Sequence, residues 1–238
     1  MGKKIAIMTL AFNEADILPQ CVKQFEGYGL DHYVFISSRP WNGNLINDKT
    51  KEVAESLDVT VFYRYWKNET DQRNWAVARL YDYDYILVVD ADEMYTREGI
   101  ELILRSLEER SEPLFRCFAV FTYWKTLEWI LEPKDKHKPV IAIDPKKAEF
   151  YEYRIPRLLH DVSYAQYQPT INVDMHHLSW VKSDDKVKEK IASYSHCNNI
   201  RENWFEEVWL KWTPEMKNIR PYGVETSCAV NVKPPNLI

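Results

Sequence analysis

Residues 85–93 read Tyr85-Ile86-Leu87-Val88-Val89-Asp90-Ala91-Asp92-Glu93. The unbroken apolar run spells the strongest strand in the chain, and a central one, because strands buried on both faces lose the alternation of half-exposed strands. The run ends in carboxylates. Working outward, Ile5–Leu10, Tyr33–Ile36 and Val59–Tyr63 read as further short strands. Between them lie helical spacings: Ile17, Leu18, Cys21, Val22 and Phe25 with Asn13 as cap, then Val53 and Leu57, then Thr70–Leu80. Ile100, Ile103, Leu104 and Leu107 place a helix after the acidic strand. Strictly alternating strands and helices predict an α/β fold with a mainly parallel sheet flanked by helices.

Beyond residue 110 the pattern changes. Leu114–Tyr123, Val140–Ile143 and Thr170–Met175 read as strands among segments rich in Tyr, Pro and Lys. Val187, Ile191 and Tyr194 mark one closing helix, and Phe205, Val208, Trp209 and Trp212 another. We expect a single domain over 1–238, with a ligand-binding half over 1–110, an acceptor half over 111–213 and an extended tail over 214–238.

With 15 Tyr, 9 Trp and 9 Phe the 238-residue chain is not disordered. Only 6 glycines occur, and neither glycine-rich phosphate-binding string is present. The balance of 31 basic and 36 acidic residues, net −5, argues against a generally basic nucleic-acid coat. No apolar stretch is long enough to span a bilayer. Cys21, Cys117, Cys197 and Cys228 lack C-x-x-C spacing and read as reduced thiols, the usage of a cytoplasmic protein.

Asp90 and Asp92 lie two apart, so strand alternation points both the same way at the carboxyl end of the central strand, where open α/β sheets bind ligands. Paired carboxylates there suit a divalent cation such as Mn2+ or Mg2+, which can bridge the phosphates of a nucleotide. A second pair, Asp82 and Asp84, precedes the strand and reads as turn chemistry.

Three stretches in order carry a family resemblance. Thr9-Leu10-Ala11-Phe12-Asn13-Glu14-Ala15-Asp16-Ile17-Leu18 resembles the opening of family 2 glycosyltransferases. Gln72-Arg73-Asn74-Trp75-Ala76 followed by Asp90-Ala91-Asp92-Glu93 is similar to the Q-R-N-x-A…D-A-D-E pattern of bacterial sugar transferases in that family. The resemblance implies the GT-A fold and a nucleotide-sugar donor. It also implies Asp92 as direct metal ligand, Asp90 on ribose or metal, Arg73 facing the donor diphosphate, and Glu14 with the Leu10–Phe12 backbone lining the base pocket. Where the family carries D-D-x-S-x-D, this chain has Ser37-Ser38-Arg39-Pro40-Trp41-Asn42-Gly43, so the resemblance leaves the nucleobase unassigned.

Met175-His176-His177-Leu178-Ser179-Trp180 is expected to end the last strand. GT-A enzymes often supply a late histidine as third metal ligand, and alternation allows only one of the two: His177 is the expected ligand, His176 a packing residue or substrate contact. Transfer with inversion needs a base on the acceptor hydroxyl. Asp161 is chosen over Glu128, Glu149 and Glu152 because His160-Asp161 stands about where related enzymes carry a His-Glu. Lys134, Lys136, Lys138, Lys146 and Lys147 form a local basic excess that suits a phosphate-bearing acceptor. The sequence reading is a metal-dependent, inverting glycosyltransferase acting on a saccharide, lipid-linked or nucleic-acid acceptor. Its alternatives are transfer to a modified base in DNA and non-catalytic nucleotide or sugar binding on the same scaffold.

Overall fold

Alternation along the first strand settles the layering. In β1 (Ile5–Ala11) Ile5 and Ile7 point to one side of the sheet and Ala6, Met8 and Leu10 to the other, and all are buried. The computed structural model describes residues 2–41, 48–159, 169–193, 197–223 and 226–237. After β1 come α1 (Leu18–Lys23), β2 (Asp31–Ser37), α2 (Thr50–Glu55), β3 (Thr60–Arg64), α3 (Glu69–Arg79) and β4 (Tyr85–Asp90), in the predicted alternation. The strands lie in the order β3-β2-β1-β4, all parallel. The chain therefore runs outward from β1 to β3, then returns through α3 to pair β4 on the other side of β1. Leu10 and Asp90 are partners in that pairing.

Helix α3 packs Ala76 and Val77 against the Met8 face, while α1 packs against the Ile7 face. Local chemistry sets the helix ends. Asn68 caps α3 by accepting from Asp71 N at 2.9 Å, with Glu69 and Asp71 in the first turn, where the helix dipole favours carboxylates. Past α1 the chain turns through Gly27 and Gly29 at φ +85° and +67°, a region glycine adopts without steric cost. Asn13 does not cap α1 as expected. It sits at φ +56° and spends its side chain on Glu189 and Lys186, because the chain must turn sharply at the end of β1.

Following β5 (Glu93–Met94), α4 (Arg97–Glu109) is capped by Thr96 and buries Ile100, Ile103 and Leu107 on the Ile7 face. Strands β6 (Leu114–Arg116) and β9 (Val140–Ile143) extend the first sheet beyond β4, with β9 antiparallel to both neighbours. β7 (Ala119–Trp124), β8 (Thr126–Glu132), β12 (Asp174–Trp180) and β13 (Cys228–Asn231) join β5 in a second sheet of order β13-β8-β7-β12-β5. β10 (Ala148–Glu152) and β11 (Ile155–Leu158) form a separate hairpin. Val120, Tyr123, Ile130, Met175 and Leu178 of the second sheet complete the core below α4.

Further expectations change. The strand placed over Thr170–Met175 lies instead at Asp174–Trp180. Thr170 pairs with Arg116 in an isolated bridge, and regular pairing with β7 and β5 begins at Asp174 and His176. The tail contains β13, paired to β8, rather than only an extended strap. Helix α5 (Asp184–Ser193) follows β12, and a π-helical turn at Phe205–Trp209 stands where a second closing helix was expected; Tyr194 of the first seam lies outside the described residues. That turn packs Trp204 and Trp209 onto Trp124 and Trp180 in an aromatic core. Tyr123 and Trp124 are likewise core residues.

Candidate functional site

The parallel strands end at a switch point between β1 and β4, and a cleft of about 540 Å³ opens above it. Leu10, Phe12 and Glu14 line it from β1, Arg73 from α3, and Asp90, Asp92 and Glu93 from the acidic strand end. His177 and Ser179 from β12 and Lys182, Lys186 and Lys190 on and before α5 form the facing wall.

The two aspartates do not share one environment. β4 stops at Asp90, where Ala91 N closes the ladder onto Leu10 O at 3.1 Å, and the chain turns toward β5. Same-face alternation therefore ends before Asp92. Asp90 Oδ2 accepts from Arg73 Nη2 at 2.8 Å and Arg154 Nη1 at 3.3 Å, while Oδ1 is buried with no partner among the described residues. Asp92 Oδ2 lies 3.1 Å from Lys190 Nζ and 3.5 Å from His177 Nε2. Burial pushes both carboxyls up. Arg73 and Arg154 overcome it at Asp90, and Lys190 and His177 overcome it more strongly at Asp92, so both lie below the ordinary carboxylate value.

Arg154 organises the turn. Its guanidinium donates to Glu93 Oε1, to Val88 O at 2.6 Å and to Val140 O at 2.9 Å, and it is 7% exposed. Glu93 also accepts from Asp90 N at 3.0 Å; burial outweighs Arg154 and lifts its carboxyl above the usual range. Buried Gln24 completes the turn, donating to Glu93 O at 3.0 Å and accepting from Tyr95 N at 2.8 Å. Arg73 is 2% exposed, tied to Glu69 and Asp90, with Nη1 buried and without a partner among the described residues. Glu14 accepts from Lys182, and burial raises its carboxyl despite that lysine.

His177 and His176 face opposite ways. His176 Nδ1 meets Tyr123 OH at 2.8 Å and its ring stacks on Phe121, with burial pulling its pKa down. Burial would lower His177 too, but Asp92 and Glu93 raise it overall. Asp84 lies at the opposite end of β4, bonded to Lys4 N at 2.9 Å. Glu128, Glu149 and Glu152 do not line the cleft. Asp161 and His160 lie outside the described residues, as do Asn42 and Gly43. Asp135 does line it, held by Arg220 Nη1 at 2.9 Å and Thr122 Oγ1 at 3.0 Å.

The donor set fits a divalent cation in part. The Asp92 carboxylate and the His177 imidazole nitrogen lie 3.5 Å apart in the cleft, and Asp90 Oδ1 has no hydrogen-bond partner among the described residues. Among the described residues no three His, Cys, Asp or Glu side chains cluster as a metal site, so a bound cation would draw further oxygens from its substrate.

Sequence reasoning missed Arg154 and the lysine wall. Arg154 carries no local signal, for it reaches Asp90 from a hairpin 64 residues on. The lysines did carry one, a spacing of four residues at 182, 186 and 190.

Fold and site together define an α/β protein with a charged ligand cleft at its switch point. Residues 6–159 match the model for glycosyl transferase family 2, and the chain belongs to that family. Among solved structures it is similar to S. aureus TarS 1-349, at 14% identity over 51% of this chain and 36% of that one, TM-score 0.37. It is also similar to the mannosyltransferase PcManGT from Pyrobaculum calidifontis in complex with GDP-Man and Mn2+, at 16% identity over 53% and 37%, TM-score 0.39. A putative nucleotide-diphospho-sugar transferase from Desulfovibrio desulfuricans G20 shares 8% identity over 60% and 64%, TM-score 0.41. The chain thus spans little more than a third of the first two structures. Among the described residues no helix is long and apolar enough to cross a membrane.

Proposed function

We propose that the chain transfers a sugar from a nucleotide-sugar donor to an acceptor hydroxyl, with inversion and with a divalent cation, Mn2+ or Mg2+. The observation that carries this reading is the Asp90–Asp92 end of β4, placed at the switch-point cleft and faced by His177 and three lysines. Asp92 and His177 would hold the cation with the donor's phosphate oxygens. When bound, it supplies positive charge against the leaving diphosphate. Arg73 and Arg154 fix Asp90 at the floor, and the Leu10–Phe12 backbone with Glu14 lines the nucleoside end. The acceptor oxygen attacks the anomeric carbon as the bond from that carbon to the phosphate oxygen breaks. The nucleoside diphosphate leaves with the bonding pair, and the acceptor proton passes to a carboxylate. Asp161 is the proposed base, and Asp135 is the described carboxylate on the acceptor side of the cleft.

Release of nucleoside diphosphate from a panel of nucleotide-sugars tests the reading. Turnover should need Asp92, and Asp161→Asn should lower kcat far more than Asp135→Asn. Turnover unchanged in Asp92→Ala would remove the proposal.

One observation favours the DNA-acceptor alternative. Arg116, Lys136, His137 and Lys138 line a second cleft of about 620 Å³ that shares His137 and Ile155 with the first. Arg116 is 8% exposed, and its Nε has no partner among the described residues. Under this alternative, affinity for duplex DNA falls steeply with salt, with a log–log slope near −0.9 per phosphate neutralised. A flat salt response leaves the neutral saccharide acceptor.

A further inference from the structure

Lys182, Lys186 and Lys190 put three ammonium groups on one wall of the cleft, four residues apart on α5 and the turn leading into it. None extends freely into water. Lys182 is bonded to Glu14 with its side chain 2% exposed. Lys186 donates to Asn13 Oδ1 at 2.7 Å and Glu189 Oε2 at 3.0 Å. Lys190 meets Asp92 Oδ2 at 3.1 Å, with its ammonium nitrogen 5.8 Å from the centre of the Trp180 ring. An ammonium carries three N–H donors. Among the described residues Lys182 and Lys190 each use one, which leaves two apiece for an incoming anion.

The charge around the acidic strand end is already balanced. Asp90 is held by Arg73 and Arg154, and Asp92 by Lys190 and His177. A diphosphate entering the cleft meets Lys190 beside Asp92 rather than a bare carboxylate. A cation that binds Asp92 must displace the same ammonium.

We propose that Lys190, flanked by Lys182 and Lys186, binds the donor diphosphate directly, so that the cleft takes a nucleoside diphosphate without metal. A divalent cation then competes with Lys190 for Asp92 instead of being the sole counter-charge. The inference rests on the cleft being the nucleotide-sugar site.

The test is calorimetric titration of UDP, GDP and inorganic pyrophosphate into the full chain, in EDTA and separately in Mn2+. The wild-type protein should bind at least one probe in EDTA. Lys190→Ala should weaken that binding by about ten- to a hundredfold, the worth of one charge-assisted hydrogen bond. Lys190→Gln keeps part of the side-chain stem, loses the charge and carries the same expectation should the alanine variant not fold. Lys188 is exposed and does not line the cleft, so Lys188→Ala makes the same charge change elsewhere and should stay within about twofold. Free Mn2+ followed by its electron paramagnetic resonance should show tighter cation binding in Lys190→Ala. Binding seen only with Mn2+, unchanged EDTA affinity in both Lys190 variants, or an equal loss in Lys188→Ala overturns the inference and leaves the glycosyltransferase reading standing. That reading fails separately, by no binding of any probe under either condition.

Discussion

Arg154 is the residue on which the acidic strand end depends. It is the charge partner shared by buried Glu93 and half-buried Asp90. Removing one member of a buried ionic network leaves an uncompensated charge and costs about 3–5 kcal/mol. Arg154→Met should therefore lower stability by about that amount in urea unfolding, and adding Glu93→Gln should restore most of it. An unchanged midpoint for the single variant would mean that the carboxylates are solvated. Little of this was legible in the sequence. The string Asp90-Ala91-Asp92-Glu93 identified the acidic turn, but strand alternation placed both aspartates in one environment. The bond from Ala91 N to Leu10 O ends the strand one residue early and gives each its own partners.

At the scale of elements, the parallel half could be read because β1 and β4 are buried on both faces, and their apolar runs leave no other assignment. The second half could not. β10 and β11 alternate weakly, with mostly exposed or half-exposed residues, and β13 is a four-residue edge strand. The start of β12 was misplaced because Thr170–Val173 has strand-forming residues but no regular partner before Asp174. The alternation of β12 gives a direct prediction. His177→Ala should weaken Mn2+ affinity, with partial rescue by excess cation, while His176→Ala should lower stability but spare metal binding, because its ring sits on Tyr123 and Phe121. The reverse result would place the other histidine at the cleft.

A second prediction concerns β2 beneath β1. His32 is 9% exposed, hydrogen-bonded to Thr9 Oγ1 at 2.8 Å, and burial depresses its pKa to about 4. The folded state thus holds this ring neutral, whereas the unfolded chain takes up a proton below about pH 6.5. The stabilisation is complete above that value and lost as pH falls toward 4, where it amounts to about 3 kcal/mol less than at neutral pH. Denaturant midpoints for wild type and His32→Gln should diverge at pH 7 and converge between pH 6.5 and 4. Parallel curves would contradict a neutral buried imidazole.

On the scale of the whole molecule, the cleft is assembled from distant parts of the chain. β1 and β4 give the floor, the β10–β11 hairpin gives Arg154, and β12 with α5 returns from the second sheet to give His177 and the lysines. Family membership over residues 6–159 covers the floor and Arg154, but the wall of His177, Lys182, Lys186 and Lys190 lies beyond the matched region. The most direct test of the central claim is thermal stabilisation of the full chain by a panel of nucleotide-sugars with Mn2+, comparing wild type, Asp92→Ala and Asp82→Ala. A ligand that binds only the folded state, at a hundred times its dissociation constant, adds about 2.7 kcal/mol. At least one nucleotide-sugar should raise the melting temperature of wild type and Asp82→Ala alike and lose its Mn2+-dependent effect in Asp92→Ala. No stabilisation by any of them, or an equal loss in both variants, would contradict a donor site at the end of β4.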